Sequence, residues 1–144
     1  MAGGHVTQVG SVVEEQIRDV RVRHYRPTGA VSPDEDLPTL VYFHGGGWAV
    51  GSPDSHDSTC RWLCEAARVA VLSVDYRLAP EHPFPAAPDD CCDVVDAAMA
   101  GEVKGVNKNR VAVGGDSAGG NLAAVVCLRR KREGQEQPLS LIHI

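Results

Sequence analysis

The chain has 144 residues, 43% of them apolar and 23% charged, and a formal net charge of −5 at pH 7. This length allows one domain around one core, and the acidic balance argues against a nucleic-acid footprint. No apolar run is long enough to span a bilayer, and the first eight residues lack the basic and apolar segments of a secretory signal, so a cytoplasmic site is the default expectation.

Residues 1–11 carry no clear pattern. Val12 to Tyr25 reads as one strand, because Val20, Val22 and His24 alternate with Arg21, Arg23 and Tyr25, as in a half-exposed strand near a sheet edge. Pro27 to Pro38 is a turn-rich connection. Thr39 to Phe43 is a short continuous apolar run, the pattern of a strand covered on both faces. His44-Gly45-Gly46-Gly47-Trp48 follows it. Ser55 or Asp57 is placed to cap the next helix, on which Cys60, Leu63, Cys64 and Ala67 share one face. Val69 to Val74 is a second buried strand, ending at Asp75. Pro80, Pro83 and Pro85 forbid regular helix before about Ala86. From there a helix is expected, with Cys91, Val94, Val95 and Ala98 as its apolar stripe and Gly101 and Gly105 as stop signals. Arg110 to Val113 is the third buried strand. The helix through Leu122 ends in Arg129-Arg130-Lys131-Arg132, charges that complement the negative end of a helix dipole. Leu139 to Ile144 opens another strand.

Buried strands joined by helical crossovers make an α/β fold, a parallel sheet with helices on both faces. The C-terminal ends of its strands share one edge, where ligands bind in open α/β sheets. Cys60, Cys64, Cys91, Cys92 and Cys127 are odd in number and lack zinc-site spacing, so they read as small apolar core residues.

At the ligand-binding edge, Gly115-Asp116-Ser117-Ala118-Gly119 is a G-x-S-x-G pattern between a buried strand and a helix, the context in which it holds a serine on a sharp turn. Ser117 is the candidate nucleophile. A serine hydroxyl needs a base to take its proton and donors to stabilise the oxyanion. Gly45, Gly46 and Gly47 can turn their N–H groups toward a substrate, and Ala118 adds one from the helix start. A phosphate loop fits poorly: Gly46 to Gly51 has Walker spacing, but Ser52 stands where the lysine should be. His44, Asp54, His56, Asp57 and His82 lack metal-ligand spacing and read as solvated loop residues. No metal and no cofactor is expected.

His44-Gly45-Gly46-Gly47-Trp48, Asp75-Tyr76-Arg77-Leu78-Ala79-Pro80-Glu81 and Gly115-Asp116-Ser117-Ala118-Gly119-Gly120, in this order, closely resemble the hormone-sensitive-lipase group of α/β-hydrolases, which includes bacterial carboxylesterases and arylacetamide deacetylases. The resemblance implies that Ser117 is the nucleophile and that the N–H groups of Gly46, Gly47 and Ala118 form the oxyanion hole. It implies that His44 and Gly45 support the loop, with His44 carrying no proton in the reaction, and that Asp75 to Pro85 braces the site. The substrate implied is a small acyl ester.

The family's triad also needs an acid and a histidine from loops well beyond the serine. Only Glu133, Glu136 and His143 lie in that direction here, and His143 falls in the expected last strand. Asp116 adjoins the serine and is expected to favour the helix N-terminus rather than to orient a histidine. Residues 12–144 are therefore expected to be the N-terminal portion of an incomplete α/β-hydrolase fold, lacking the triad acid and base and inactive as it stands. Plant gibberellin receptors resemble the same group and keep the serine without the histidine, so a non-catalytic ligand-binding role is the alternative. Uncovered sheet faces are expected to make the chain poorly soluble.

Overall fold

The structure is a computed structural model that describes residues 5–30 and 32–144. Residues 5–10 form no helix or strand, and the first four residues of the unpatterned N-terminal segment lie outside the described residues. The expected single strand from Val12 to Tyr25 is instead a hairpin, β1 (Ser11–Ile17) and β2 (Val20–Arg26), paired antiparallel. Its turn is Arg18-Asp19, with Arg18 at φ 52°. The polar Arg18-Asp19 pair interrupts the alternation, and that is where the chain reverses. Tyr25 is fully buried rather than half-exposed, because a helix covers its face of β2.

The remaining strands are β3 (Leu37–Phe43), β4 (Ala70–Asp75), β5 (Val106–Gly115) and β6 (Leu141–His143). The sheet order is β1-β2-β4-β3-β5-β6, antiparallel at β1/β2 and β2/β4 and parallel elsewhere. β5 extends beyond the expected Arg110 to Val113 at both ends. Its exposed Lys108, Asn109 and Arg110 hide the strand from a pattern that looks only for apolar runs.

Three helices cover the sheet: α1 (Asp57–Ala67), α2 (Ala86–Ala100) and α3 (Ala118–Arg132). β4 and β5 flank β3 on opposite sides, so the two crossovers lead in opposite directions and their helices pack on opposite faces. On one face α2 and α3 bury Val41, Phe43, Leu72, Val74 and Val113 together with Cys91, Val94, Val95, Leu122 and Val126. On the other, α1 packs Cys60 and Cys64 against Tyr25, Leu40, Tyr42 and Val71. Leu63 packs partly on that cluster, while Ala67, expected on the same face, is exposed at the helix end.

Neither Ser55 nor Asp57 caps α1: His56 holds that position without a side-chain bond. Ser55 bonds Ser52 instead, and Asp57 accepts from the Tyr25 hydroxyl at 2.6 Å and from Arg61 at 2.7 Å. All five cysteines are free thiols, and burial pushes Cys60 and Cys64 up to about 12. The basic end of α3 is tied to α2, with Arg129 on Asp89 at 2.6 Å and Arg130 on Asp96. No helix among the described residues is long and apolar enough to cross a membrane.

The last strand is short, and around it Leu128, Leu139, Leu141, Ile142 and Ile144 are exposed. An apolar edge of this kind pairs readily with another chain. The 144-residue chain is expected to self-associate in sedimentation velocity, and Ile142→Lys to shift it toward monomer. A wild-type chain that sediments as a single monomer at every concentration contradicts this.

Candidate active site

β5 ends in Gly114-Gly115, and α3 begins two residues later at Ala118. Ser117 occupies the corner at φ 51° and ψ −119°. A left-handed φ at a non-glycine residue stores about 1–3 kcal/mol and persists only where the surroundings enforce it. Here the Gly119 N–H donates to the Asp116 carbonyl at 2.8 Å and the Asn121 N–H to the Ser117 carbonyl at 3.2 Å. Gly115 and Gly119 make the corner possible, because a Cβ on either would overlap the carbonyl oxygen of Phe43 at the end of β3. Ser117 is exposed at the sheet edge, and no side chain caps α3. The N–H of Ala118 belongs to the first turn, which has no intrahelical acceptors.

The glycine loop follows β3 on the neighbouring strand. Its peptide groups are held one after another. The His44–Gly45 peptide is gripped at both ends: the Tyr76 hydroxyl donates to the His44 carbonyl at 2.6 Å, and the Gly45 N–H donates to Asp116 Oδ1 at 3.0 Å. In the next peptide the Gly45 carbonyl lies 2.7 Å from His44 Nδ1. A carbonyl can only accept, so Nδ1 carries the proton. Because a trans peptide is planar, fixing that carbonyl fixes the direction of the Gly46 N–H. The Gly46 carbonyl in turn accepts from the Ala49 and Val50 N–H groups at 3.1 and 3.0 Å, which orients the Gly47 N–H. Gly46 itself sits at φ 129°, a conformation L side chains rarely adopt.

His44 is fully buried and stacked on Tyr76, ring centroids 4.3 Å apart. Burial lowers its pKa below 6.5, with the neighbouring His56 acting in the same direction. Its Nε2 has no hydrogen-bond partner among the described residues, so a protonated ring would leave that N–H unpaired. Tyr76 opens the segment expected to brace the site. In that segment the Ala79 N–H donates to the Trp48 carbonyl at 2.8 Å, and Arg77 pairs with the buried Asp90 at 2.8 Å.

Two expectations are corrected. Asp116 does hold a histidine: His56 Nε2 lies 3.2 Å from Asp116 Oδ2, while Tyr42 donates to Oδ1 at 2.6 Å. Burial opposes ionisation of Asp116, but the bonds from Tyr42, His56 and the Gly45 N–H outweigh it and hold the carboxyl below 3.8. His44, His56 and Asp57 are also not solvated loop residues, since His44 is fully buried and the other two are partly buried and hydrogen-bonded. Tyr42 was missed in the sequence because a buried tyrosine in an apolar run looks like core, and Tyr76 was read only as part of the bracing segment. Only their hydroxyls, each needing a partner, hinted at a role.

Beside the loop lies a cleft of about 380 Å³, lined by Gly47, Trp48, Phe84, Leu122 and Val125, with Asn121 at one side. Trp48 and Phe84 are 43% and 80% exposed at its rim. Among the described residues no hydrogen bond links any histidine to Ser117. His143 pairs with Gly115 in β6, and its ring lies against Gly120 in the first turn of α3. No group of histidine, cysteine and carboxylate side chains that could hold a metal occurs among the described residues.

A serine on a strained strand-to-helix corner, beside a glycine loop at the C-terminal edge of a mostly parallel sheet, defines the α/β-hydrolase class. The family model for the alpha/beta hydrolase fold matches residues 40–144, and the chain belongs to this family, within its hormone-sensitive-lipase-like carboxylesterase group. It is 52% identical over 111 residues to the carboxylic ester hydrolase LipN of Mycobacterium tuberculosis, covering 76% of this chain and 28% of that protein. It is 44% identical over 112 residues to the ethyl acetate hydrolase of Pseudomonas putida, covering 72% of this chain and 34% of that protein. Among solved structures, the hyperthermophilic esterase of Pyrobaculum calidifontis superposes with a TM-score of 0.85 at 41% identity, covering 94% of this chain and 45% of that one. The chain thus spans about a third of the length of these curated relatives.

The two lowered pKa values set a pH dependence. Unfolding lets His44 take a proton that its folded site disfavours, so its contribution to stability is present above pH 6.5 and declines below it. Asp116 contributes stability that is present above pH 3.8 and is lost as pH falls through its lower folded value. Urea midpoints measured from neutral pH downward should show both declines, with His44→Gln removing the upper one and Asp116→Asn the lower. Gly119→Ala, which drives a methyl into the Phe43 carbonyl, is expected to lower stability by at least about 1–3 kcal/mol.

Proposed function

We propose that Ser117 is the nucleophile of a serine carboxylic-ester hydrolase acting on small acyl esters. The observation that carries this reading is the left-handed corner at Ser117 beside peptides whose N–H directions are fixed at Gly46 and Gly47. Oγ attacks the ester carbonyl, and its proton passes to a base. The oxyanion is bound by the N–H groups of Gly46, Gly47 and Ala118. Collapse of this intermediate expels the alcohol and leaves an acyl-serine, which water hydrolyses to the carboxylic acid. Donors held before substrate arrives need no reorganisation when the charge develops, which is why the loop is gripped at each peptide.

The identity to LipN and to the ethyl acetate hydrolase supports ester substrates. A cleft of about 380 Å³ with apolar walls supports a short acyl or alcohol group. Since no histidine among the described residues bonds Ser117, the 144-residue chain alone is expected to turn over slowly. Its residual rate would rest on the oxyanion donors and binding, which leave roughly 10³-fold over water in triads stripped of their base.

The test uses the full open reading frame that encodes this chain and p-nitrophenyl butyrate. Ser117→Ala should reduce kcat by more than about 10³-fold. Turnover unchanged by that substitution rules the nucleophile out. Val125→Trp, placed on the partly exposed wall of the cleft, should shift preference toward acetyl over hexanoyl esters by at least about tenfold in kcat/KM. An unaltered chain-length profile places the substrate elsewhere.

A further inference from the structure

The glycine loop and the serine corner belong to different strands, and one side chain joins them. Asp116 Oδ1 accepts from the Tyr42 hydroxyl at the end of β3 and from the Gly45 N–H, while Oδ2 faces His56 at the start of α1. A carboxylate has no proton to give, so His56 donates through Nε2. Its Nδ1 lies 2.8 Å from Ser55 Oγ, which itself lies 2.9 Å from the Ser52 carbonyl. When His56 is neutral, Ser55 donates to Nδ1. When it is protonated, Nδ1 donates to Ser55 Oγ and the hydroxyl proton turns to Ser52. Both states keep the Ser55–His56 bond, and both present an N–H to Asp116. There is no slack at the contact either, since a Cβ on Gly45 would overlap Asp116 Oδ2.

We propose that Asp116, held by His56, is the positioning residue of the oxyanion loop: it ties the first glycine peptide to the residue preceding the nucleophile, so that donors and serine keep one spacing. This rests on the serine-hydrolase reading above. Asp116 touches no reacting atom and acts through Gly45. Apart from Asp116 and Ser55, His56 faces the His44 ring at 5.5 Å and the Tyr42 ring at 6.3 Å. The nearby charges are already engaged, Asp54 with Arg23 at 2.6 Å and Asp57 with Arg61 at 2.7 Å.

The arrangement gives a signature that a merely structural carboxylate would not. In Asp116→Asn the amide oxygen can still accept from Tyr42 and Gly45, but an NH₂ now faces His56. Neutral His56 can accept it at Nε2 while donating from Nδ1 to Ser55. Protonated His56 cannot. The ratio of variant to wild-type kcat should therefore fall with acid, since only the protonated ring would meet the new NH₂ with a second donor. Taking a ratio cancels any acid limb common to both enzymes.

The experiment measures kcat and KM for p-nitrophenyl butyrate against pH in the full-length protein. The variants are Ser117→Ala, Asp116→Ala, Asp116→Asn, His56→Gln and the double variant Asp116→Asn/His56→Gln. Asp116→Ala should lower kcat by about 10²-fold with KM changed less than about threefold, as expected when oxyanion donors are misplaced. The Asp116→Asn ratio should fall with acid, and the double variant, which has no imidazole at position 56, should give a flat ratio against His56→Gln. If Asp116→Ala does not fold, the asparagine series decides alone. A pH-flat ratio for Asp116→Asn, with Ser117→Ala inactive, overturns the positioning role while leaving the nucleophile in place. Activity in Ser117→Ala removes both.

Discussion

The carbonyl oxygen of Phe43 comes so close to the first turn of α3 that neither Gly115 nor Gly119 has room for a Cβ. This one approach fixes the site. It brings the end of β3, which continues into the glycine loop, against the end of β5, which turns into the serine corner. With side chains at those two positions the strand ends would separate, and the serine corner would move away from the loop that Asp116 touches. The strain at Ser117, with its left-handed φ, is sustained by the same contact and by the two backbone bonds that start α3.

Around that approach, side chains from four elements hold the loop's peptides. Tyr76 follows β4, Tyr42 is in β3, Asp116 follows β5 and His56 precedes α1. Their polar atoms are used on the backbone or on one another, leaving the Gly46 and Gly47 N–H groups oriented without a side chain of their own. Such a site is preorganised by hydrogen bonds that are worth more in a partly buried setting than in water. The neutral, buried His44 fits the same logic: a charged ring there would lack a second acceptor, since its Nε2 has none.

The buried parallel strands and the apolar stripe of α2 were legible because burial on both faces leaves continuous apolar runs and helical burial leaves a 3.6-residue period. The hairpin at Arg18 was less so. A two-residue polar turn within an alternating pattern keeps its period of two and looks like a continuous strand. β5 was shortened for a related reason, since the polar Asn107, Lys108 and Asn109 separate Val106 from the apolar run and lie where the pairing register shifts. In the site, Ser117 and the glycines stood out because few other residues tolerate such corners. Tyr42 and His56 did not, because their roles depend on a partner 74 and 60 positions away in the chain.

The sequence by itself determined the class of fold, the corner that carries Ser117 and the glycine loop on the neighbouring strand, because strict local geometry demands glycine and a small set of flanking residues there. Only the tertiary structure decided which side chains grip the loop. It turned Asp116 from a helix-end charge into the bridge between β3, α1 and the serine corner, and His56 from a loop residue into its partner. The physical reason is that a hydrogen bond between distant residues leaves no period or motif in the chain. It exists only once the strands have been ordered β4-β3-β5 and their ends brought to one edge.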